Sequence, residues 1–268
     1  MANVVIQDRD LAILAEISQS TACSRVHLAT RFFNGSLAAA KKRLQLLTRA
    51  GFIRNNDSSS LGRTILRLTT KGANLVKVSG RTAARKARPI SRHMLRHEIL
   101  LSECLASLRQ VADANEWFTE VTTEEGEVTL KVDCEVHNRM EHVTPDAFVV
   151  LHRDQPEYLF IEVDRGTETQ EHLAHLGTQY RSYHRSGGLT GSHLCKAKER
   201  RRIRVLLLMT SRERLKRTAH LLCRFAQIRT LVWLCHVDDF RKDPINASWC
   251  CPIDFDHLSS DPPGRSLF

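Results

Sequence analysis

The sequence predicts an α+β protein of two domains, and three observations carry that expectation. Positive charge is confined to one end: residues 1–90 hold 16 Lys and Arg against 4 Asp and Glu, a net of +12, while the remainder holds 24 against 26, a net of −2. The same N-terminal third reads as short helical patterns followed by one hairpin pattern. Beyond it, strand-like runs alternate with long amphipathic segments, the mark of a mixed α/β domain. At 268 residues the chain accommodates two domains of ordinary size.

In the first domain, Asp8 precedes residues 9–17, where Leu11, Leu14 and Ile17 recur at helical spacing, so Asp8 is the expected N-cap of a first helix. Ser24 is the expected cap of a second, over 25–33, closed by the Asn34-Gly35 turn. Ser36 opens a third, over 37–50, ended by Gly51. Its apolar stripe is Leu37, Ala40, Leu44 and Leu47, which leaves Ala38, Lys41, Lys42, Gln45 and Arg49 facing outward. Strand-like runs over 52–56 and 63–69 flank a turn, and Thr70 begins a further helix. Three helices followed by a hairpin predict a winged helix-turn-helix over residues 1–78.

In that fold the third helix enters the major groove of DNA and the wing grips the flanking backbone. The candidate DNA contacts are Ser36, Lys41, Lys42, Gln45 and Arg49 on the third helix, with Arg54, Arg63 and Arg67 on the wing. Lys and Arg neutralise phosphates, whereas Gln45 suits an adenine edge. A basic domain of this size favours a polyanion through counterion release. Two alternatives stay open: a merely solvated basic face, and a winged helix that docks protein. Two copies would address a symmetric site, which makes a homodimer the base-rate expectation.

Residues 79–91 combine small residues, Pro89 and the basic side chains Arg81, Arg85, Lys86 and Arg88, and read as a linker. The second domain then spans 92–240, with 241–268 as a tail. A helix is expected over 92–112, strands at 117–123, 128–136, 147–151 and 158–163, a helix over 168–184, a strand at 203–209, a helix over 212–226 and a strand at 230–236. No run reaches about 18 apolar residues and the N-terminus has no leader pattern, so neither a membrane nor an export route is expected and the cytoplasm is the predicted location. The eight cysteines are scattered without a CxxC pair, and Cys250-Cys251 with His257 is a poor tetrahedral zinc set.

Pro145-Asp146 opens one apolar run and Glu162-Val163-Asp164 closes the next, which brings the Asp146 and Glu162 carboxylates toward one end of a hairpin. That pattern, in this order of elements, resembles the restriction-endonuclease-like or PD-(D/E)xK superfamily. The resemblance implies a divalent metal, Mg²⁺ or Mn²⁺, on Asp146 and Glu162, with the Val163 carbonyl and the helical Glu98 as further ligands. Where the superfamily has Lys, this chain has Asp164, an anion in place of the expected cation. Gln179 on the following helix is a candidate for a displaced polar group. The catalytic set is therefore Asp146, Glu162, Asp164 and Gln179, and Asp164 argues against efficient cutting. His172 and His175 read as a polar helix surface. The basic run over 196–204 is either a second nucleic-acid contact or a gatekeeper beside a buried strand.

Both halves together resemble the replication-relaxation family of plasmids and other mobile elements. The resemblance rests on Asp8-Arg9-Asp10, Lys42-Arg43-Leu44, Ala50-Gly51-Phe52-Ile53, Lys71-Gly72, His97, Pro145-Asp146, Tyr180 and above all Phe160-Ile-Glu-Val-Asp-Arg-Gly-Thr167. It implies a DNA-binding accessory or regulatory protein in replication, relaxation, mobilisation or transcriptional control, whose partners are DNA and a replication protein, relaxase or other mobile-element protein. Its nuclease-like domain would be weakly active or inactive. The alternative is a divalent-metal-dependent DNA endonuclease using Asp146 and Glu162.

Overall fold

The computed structural model describes residues 4–20, 23–58, 63–80, 92–122, 130–134, 139–187, 203–225 and 228–255. Residues 81–91 of the linker expected over 79–91, the basic residues 196–202 and the tail from 256 onward lie outside the described residues. The chain divides into two compact units, residues 1–110 and 111–268.

The first unit contains α1 (Asp8–Gln19), a short strand β1 (Cys23–Ser24), α2 (Arg25–Phe32), α3 (Leu37–Arg49), β2 (Ile53–Ser58), β3 (Arg63–Leu68), α4 (Thr70–Val78) and most of α5 (Arg92–Ala114). Ser24 and Ser36 cap their helices, accepting from the backbone amides of His27 at 3.0 Å and Ala39 at 3.3 Å. The start of α1 differs from expectation: Gln7, not Asp8, is the N-cap. The cause is Asp10, which accepts from the Gln7 amide at 2.8 Å in a reciprocal capping box. Asp10 is fully buried because Arg43 of α3 pairs with it, donating from Nε at 2.7 Å. One tertiary ion pair thus sets where a helix begins.

Ile13, Leu14, Leu28, Ala40, Leu44, Leu47 and Ile53 form the core of this unit. Leu37, expected in the buried stripe, is 50% exposed. It is the first helical residue, and its Cα–Cβ bond tilts toward the N-terminus, away from the turn that Ala40 buries. The hairpin β2–β3 runs in register from Ile53↔Leu68 to Ser58↔Arg63, and β1, not foreseen, adds to β3 through Cys23↔Leu66. Gly72 is required by a close approach, since a Cβ there would lie 2.1 Å from the Phe52 carbonyl oxygen.

The helix expected to open the second domain belongs, as far as Gln110, to the first unit. Ile99 covers Ile65 on β3, and Glu103, 1% exposed, accepts from the Ser24 hydroxyl at 2.7 Å. Arg109 reaches Glu16 of α1 at 3.0 Å, beside the 2.8 Å contact between Glu16 and His27. Burial pushes the Glu16 carboxyl up, but the His27 hydrogen bond and the His27, Arg109 and Arg31 charges outweigh it and hold the pKa at about 2.

The second unit contains β4 (Phe118–Thr122), β5 (Leu130–Cys134), β6 (Arg139–Val143), β7 (Ala147–His152), β8 (Glu157–Asp164), α6 (Gln170–Arg185), β9 (Ile203–Met209), α7 (Arg212–Leu222), β10 (Val232–His236), α8 (Val237–Lys242) and a 3₁₀ turn (Pro252–Phe255). Five strands form a mixed sheet in the order β10-β9-β8-β7-β4, parallel on the β8–β9–β10 side and antiparallel on the β7–β4 side. The near-continuous apolar reading of β9 follows from its place between two parallel neighbours. The strand expected over 128–136 does not join this sheet; it pairs with the unforeseen β6 in a separate ribbon.

Helix α6 lies on the main sheet through Leu173, Tyr180 and Tyr183, whose rings approach Phe160 at 5.9 and 5.8 Å. Part of the expected tail is core: Trp249 is fully buried against Phe240 at 5.7 Å, and Cys250 pairs with Leu234. Among the described residues no helix is long and apolar enough to cross a membrane.

Candidate functional site

Asp146 immediately precedes β7, and the register Ala147↔Ile161 sets it beside the last residues of β8. Its Oδ2 accepts from the Val163 amide at 2.7 Å. Glu162 is half-buried and accepts from the Tyr180 hydroxyl at 2.7 Å. The two carboxylates therefore converge, and their chemistry shows it. Burial raises the Glu162 pKa well above the carboxylate range, the Asp146 charge raises it further, and the Tyr180 hydroxyl and Asp146 amide only partly oppose this. Burial and the Glu162 charge likewise push the phenol of Tyr180, 1% exposed, well above its usual range.

Asp164 has a different environment. It is 2% exposed, accepts from Arg214 Nε at 2.6 Å and from the Gly166 amide at 2.7 Å. Arg214, on α7, also donates to the Glu168 carbonyl. Gly166 has φ +85°, the left-handed conformation this tight turn requires. The position where the nuclease pattern carries Lys is thus the anionic half of an internal ion pair.

Gln179 is buried, and its amide donates to Glu141 Oε2 on β6 at 2.9 Å, the same oxygen that His175 Nε2 approaches at 3.0 Å. His172 pairs with Glu168 at 3.4 Å on an exposed face. Arg204, from the basic run, pairs with Glu157 at 2.6 Å and stacks on Trp233. Glu98 is on α5, in the first unit. Among the described residues no three His, Cys, Asp or Glu side chains gather into a metal-holding group. Asp146 and Glu162 alone suit a hard divalent cation, which needs as few as two carboxylates beside phosphate and water and would relieve the repulsion felt by Glu162.

On α3, Ser36, Lys41, Lys42, Gln45 and Arg49 are all exposed, though the Ser36 hydroxyl is committed to its helix cap. Arg54 is exposed and directly opposite the half-buried Arg67 across the hairpin. Like charges so placed repel, and an anion between them would reverse that cost. Arg63 starts β3 opposite Ser58, and its side chain lies outside the described residues. Sequence reasoning missed Arg214 as the partner of Asp164; the only local signal was the Ser211 cap that fixes its helix, accepting from the Arg214 amide at 3.3 Å.

The chain is thus an α+β protein of two units, with the basic face of α3 in one and the converging carboxylates Asp146 and Glu162 in the other. The chain belongs to the replication-relaxation family, whose model matches residues 14–193. That span includes the α3 face, Asp146, Glu162, Asp164 and Tyr180, whereas Arg214 lies beyond it. No curated protein and no solved structure matches the chain. Membership points to a role in replication or relaxation of plasmids or other mobile elements, and to interaction with DNA or the machinery of such elements.

Proposed function

We propose that the protein is a DNA-binding accessory or regulatory protein of a plasmid or other mobile element, acting in its replication, relaxation, mobilisation or transcriptional control. The observation that carries this reading is the outward row Lys41, Lys42, Gln45 and Arg49 on α3, in a segment of net charge +12. On this reading residues 1–78 are a winged helix-turn-helix. Helix α3 enters the major groove, where Gln45 reads a base edge and Lys41, Lys42 and Arg49 hold phosphates, with Ser36 at its start. Arg54, Arg63 and Arg67 grip the backbone from the wing. The protein works in the cytoplasm as a homodimer on a symmetric site, with a replication protein or relaxase as further partner.

The second unit, on this reading, is a restriction-endonuclease-like scaffold with little or no cutting activity. The position where the nuclease pattern has Lys carries Asp164, bound to Arg214, so that position offers no cation to stabilise developing charge on a phosphate at Asp146 and Glu162. Convergence of Asp146 and Glu162 favours a second reading, a metal-dependent DNA endonuclease. There, a Mg²⁺ or Mn²⁺ ion on those carboxylates would polarise the scissile phosphate.

Fluorescence anisotropy with duplex DNA tests the first reading. Charge reversal at Lys41 and Lys42 is expected to abolish tight binding, and unchanged affinity would sink it. Incubation with supercoiled plasmid and Mg²⁺ or Mn²⁺ tests the second: cleavage that disappears in both Asp146→Ala and Glu162→Ala establishes the endonuclease over the scaffold.

A further inference from the structure

Where α6 and α7 begin, a cavity of about 160 Å³ opens in the second unit, lined by Gln170, Ser211, Arg214, Arg217 and Thr218 among others. Three independent features give it one chemical preference. The first is backbone: Gln170 is the opening residue of α6 and Ser211 is the N-cap of α7, so two helix N-termini meet at one cavity. Each leaves amide donors without an intrahelical acceptor and a partial positive charge at its start. Thr169 and Ser211 satisfy one donor apiece, at His172 and Arg214, and the exposed Glu171 carboxylate accepts from its own amide.

The second feature is uncommitted cationic donors. Arg214 uses Nε on Asp164 and Nη2 on the Glu168 carbonyl, and its Nη1 makes no hydrogen bond among the described residues. These two anchors fix the guanidinium without using its whole fork. Arg217 pairs through Nη2 with Glu213, but both side chains are two-thirds or more exposed and such a pair contributes little. The third feature is Thr218, 3% exposed, whose hydroxyl has no hydrogen-bond partner among the described residues although the residue lines the cavity. That hydroxyl is an uncommitted hydrogen-bonding group on a residue at the cavity wall, and a bound acceptor would engage it.

We propose that this cavity binds a phosphate group, held by Arg214 Nη1, Arg217, the Thr218 hydroxyl and the first-turn amides of α6 and α7. An oxyanion acceptor meets all of these donors, whereas a cation or an apolar group meets none. Glu213 is the one anion on the lining, and phosphate takes its place on Arg217. The phosphate is either a free anion or part of a DNA strand. The site stands apart from the reading of α3, in another unit, so either proposal can fail without the other.

Titration of the full chain with inorganic phosphate, followed by calorimetry, tests it in wild type, Arg217→Gln and Thr218→Val. Saturable binding about tenfold weaker in each variant is expected. Absence of saturable binding, or unchanged affinity in either folded variant, overturns the proposal. Arg217 is exposed, so its variant decides the matter should Thr218→Val fail to fold. Single-stranded oligonucleotides with a 5′-phosphate or a 5′-hydroxyl then separate the sources. Preference for the 5′-phosphate that vanishes in the variants identifies a strand terminus. Equal binding of both strands, equally weakened, identifies a backbone phosphate, and variant-insensitive binding of both identifies the free anion.

Discussion

The Arg214 guanidinium donates to Asp164 at 2.6 Å, and the carboxylate it serves is 2% exposed. A negative charge at this strand end is therefore internal structure. Removing the cation would leave a buried, unpaired carboxylate, which costs about 3–5 kcal/mol. Arg214→Leu is expected to lower stability by that amount, and Asp164→Asn by less because the neutral amide still accepts from Arg214. All three tryptophans, Trp117, Trp233 and Trp249, lie in the second unit, so urea unfolding followed by tryptophan fluorescence reads this effect directly. Equal losses in the two variants would refute the buried-charge account.

Glu162 gives a pH-dependent prediction. Its folded pKa is raised, so the folded state holds an extra proton once the unfolded chain ionises above about 4.5, and stability falls as pH rises from there. Glu162→Gln removes that penalty and can still accept from Tyr180. The variant is expected to be more stable than wild type at pH 7 and equal to it below pH 4, by about 1 kcal/mol or more at the neutral end. A pH-independent difference would show that repulsion from Asp146 and burial are not its cause.

Glu16 behaves in the opposite sense. Its folded pKa of about 2 lies below the ordinary 4.5, so the stabilisation from His27 and Arg109 is fully present above 4.5 and is lost as pH falls toward 2. Hydrogen exchange in α1 and α2 is expected to accelerate across that window in wild type. In Glu16→Gln exchange should be faster already at pH 7 and should change less between 4.5 and 2.

Gly72 allows no side chain in its present backbone. Thr69 donates from its amide to the Phe52 carbonyl at 3.1 Å and from its hydroxyl to the Gly51 carbonyl at 2.6 Å, so the hairpin cannot withdraw without breaking these bonds. Gly72→Ala is expected to destabilise the first unit by about 1–3 kcal/mol. Faster hydrogen exchange in α4 and β2 would register it; unchanged exchange would show that the helix shifts freely.

On DNA, Lys42→Ala and Gln45→Ala should separate. The lysine variant is expected to weaken binding on every sequence and to reduce the slope of log affinity against log salt by about 0.9. The glutamine variant should leave that slope unchanged and relax preference at one base pair by about 1–3 kcal/mol. Matching effects on the slope would remove Gln45 from base reading.

Much of this architecture was legible because local signals agreed with global ones. The limits of β9 read correctly from a run that is apolar except for Arg204, and the convergence of Asp146 and Glu162 followed from two apolar runs joined by a polar turn. What escaped depended on partners far along the chain. Asp8 is intrinsically a good cap, but the Asp10–Arg43 pair moved the start of α1. The role of Asp164 depended on a residue 50 positions later, and that of Glu103 on one 79 positions earlier. Strand β6, Arg139-Met-Glu-His-Val143, mixes charge with apolar residues and carries no clear alternation until β5 is beside it.

Helix α5 has a consequence for how such chains can be recombined. Glu103 and Arg109 complete polar pairs inside the first unit, and Ile99 closes its hairpin. A piece of the first unit severed at residue 80 would carry Glu16 and Ser24 without these partners. The smallest piece that can be exchanged between related proteins with these pairs intact therefore ends near Gln110, inside a helix and not at the expected linker.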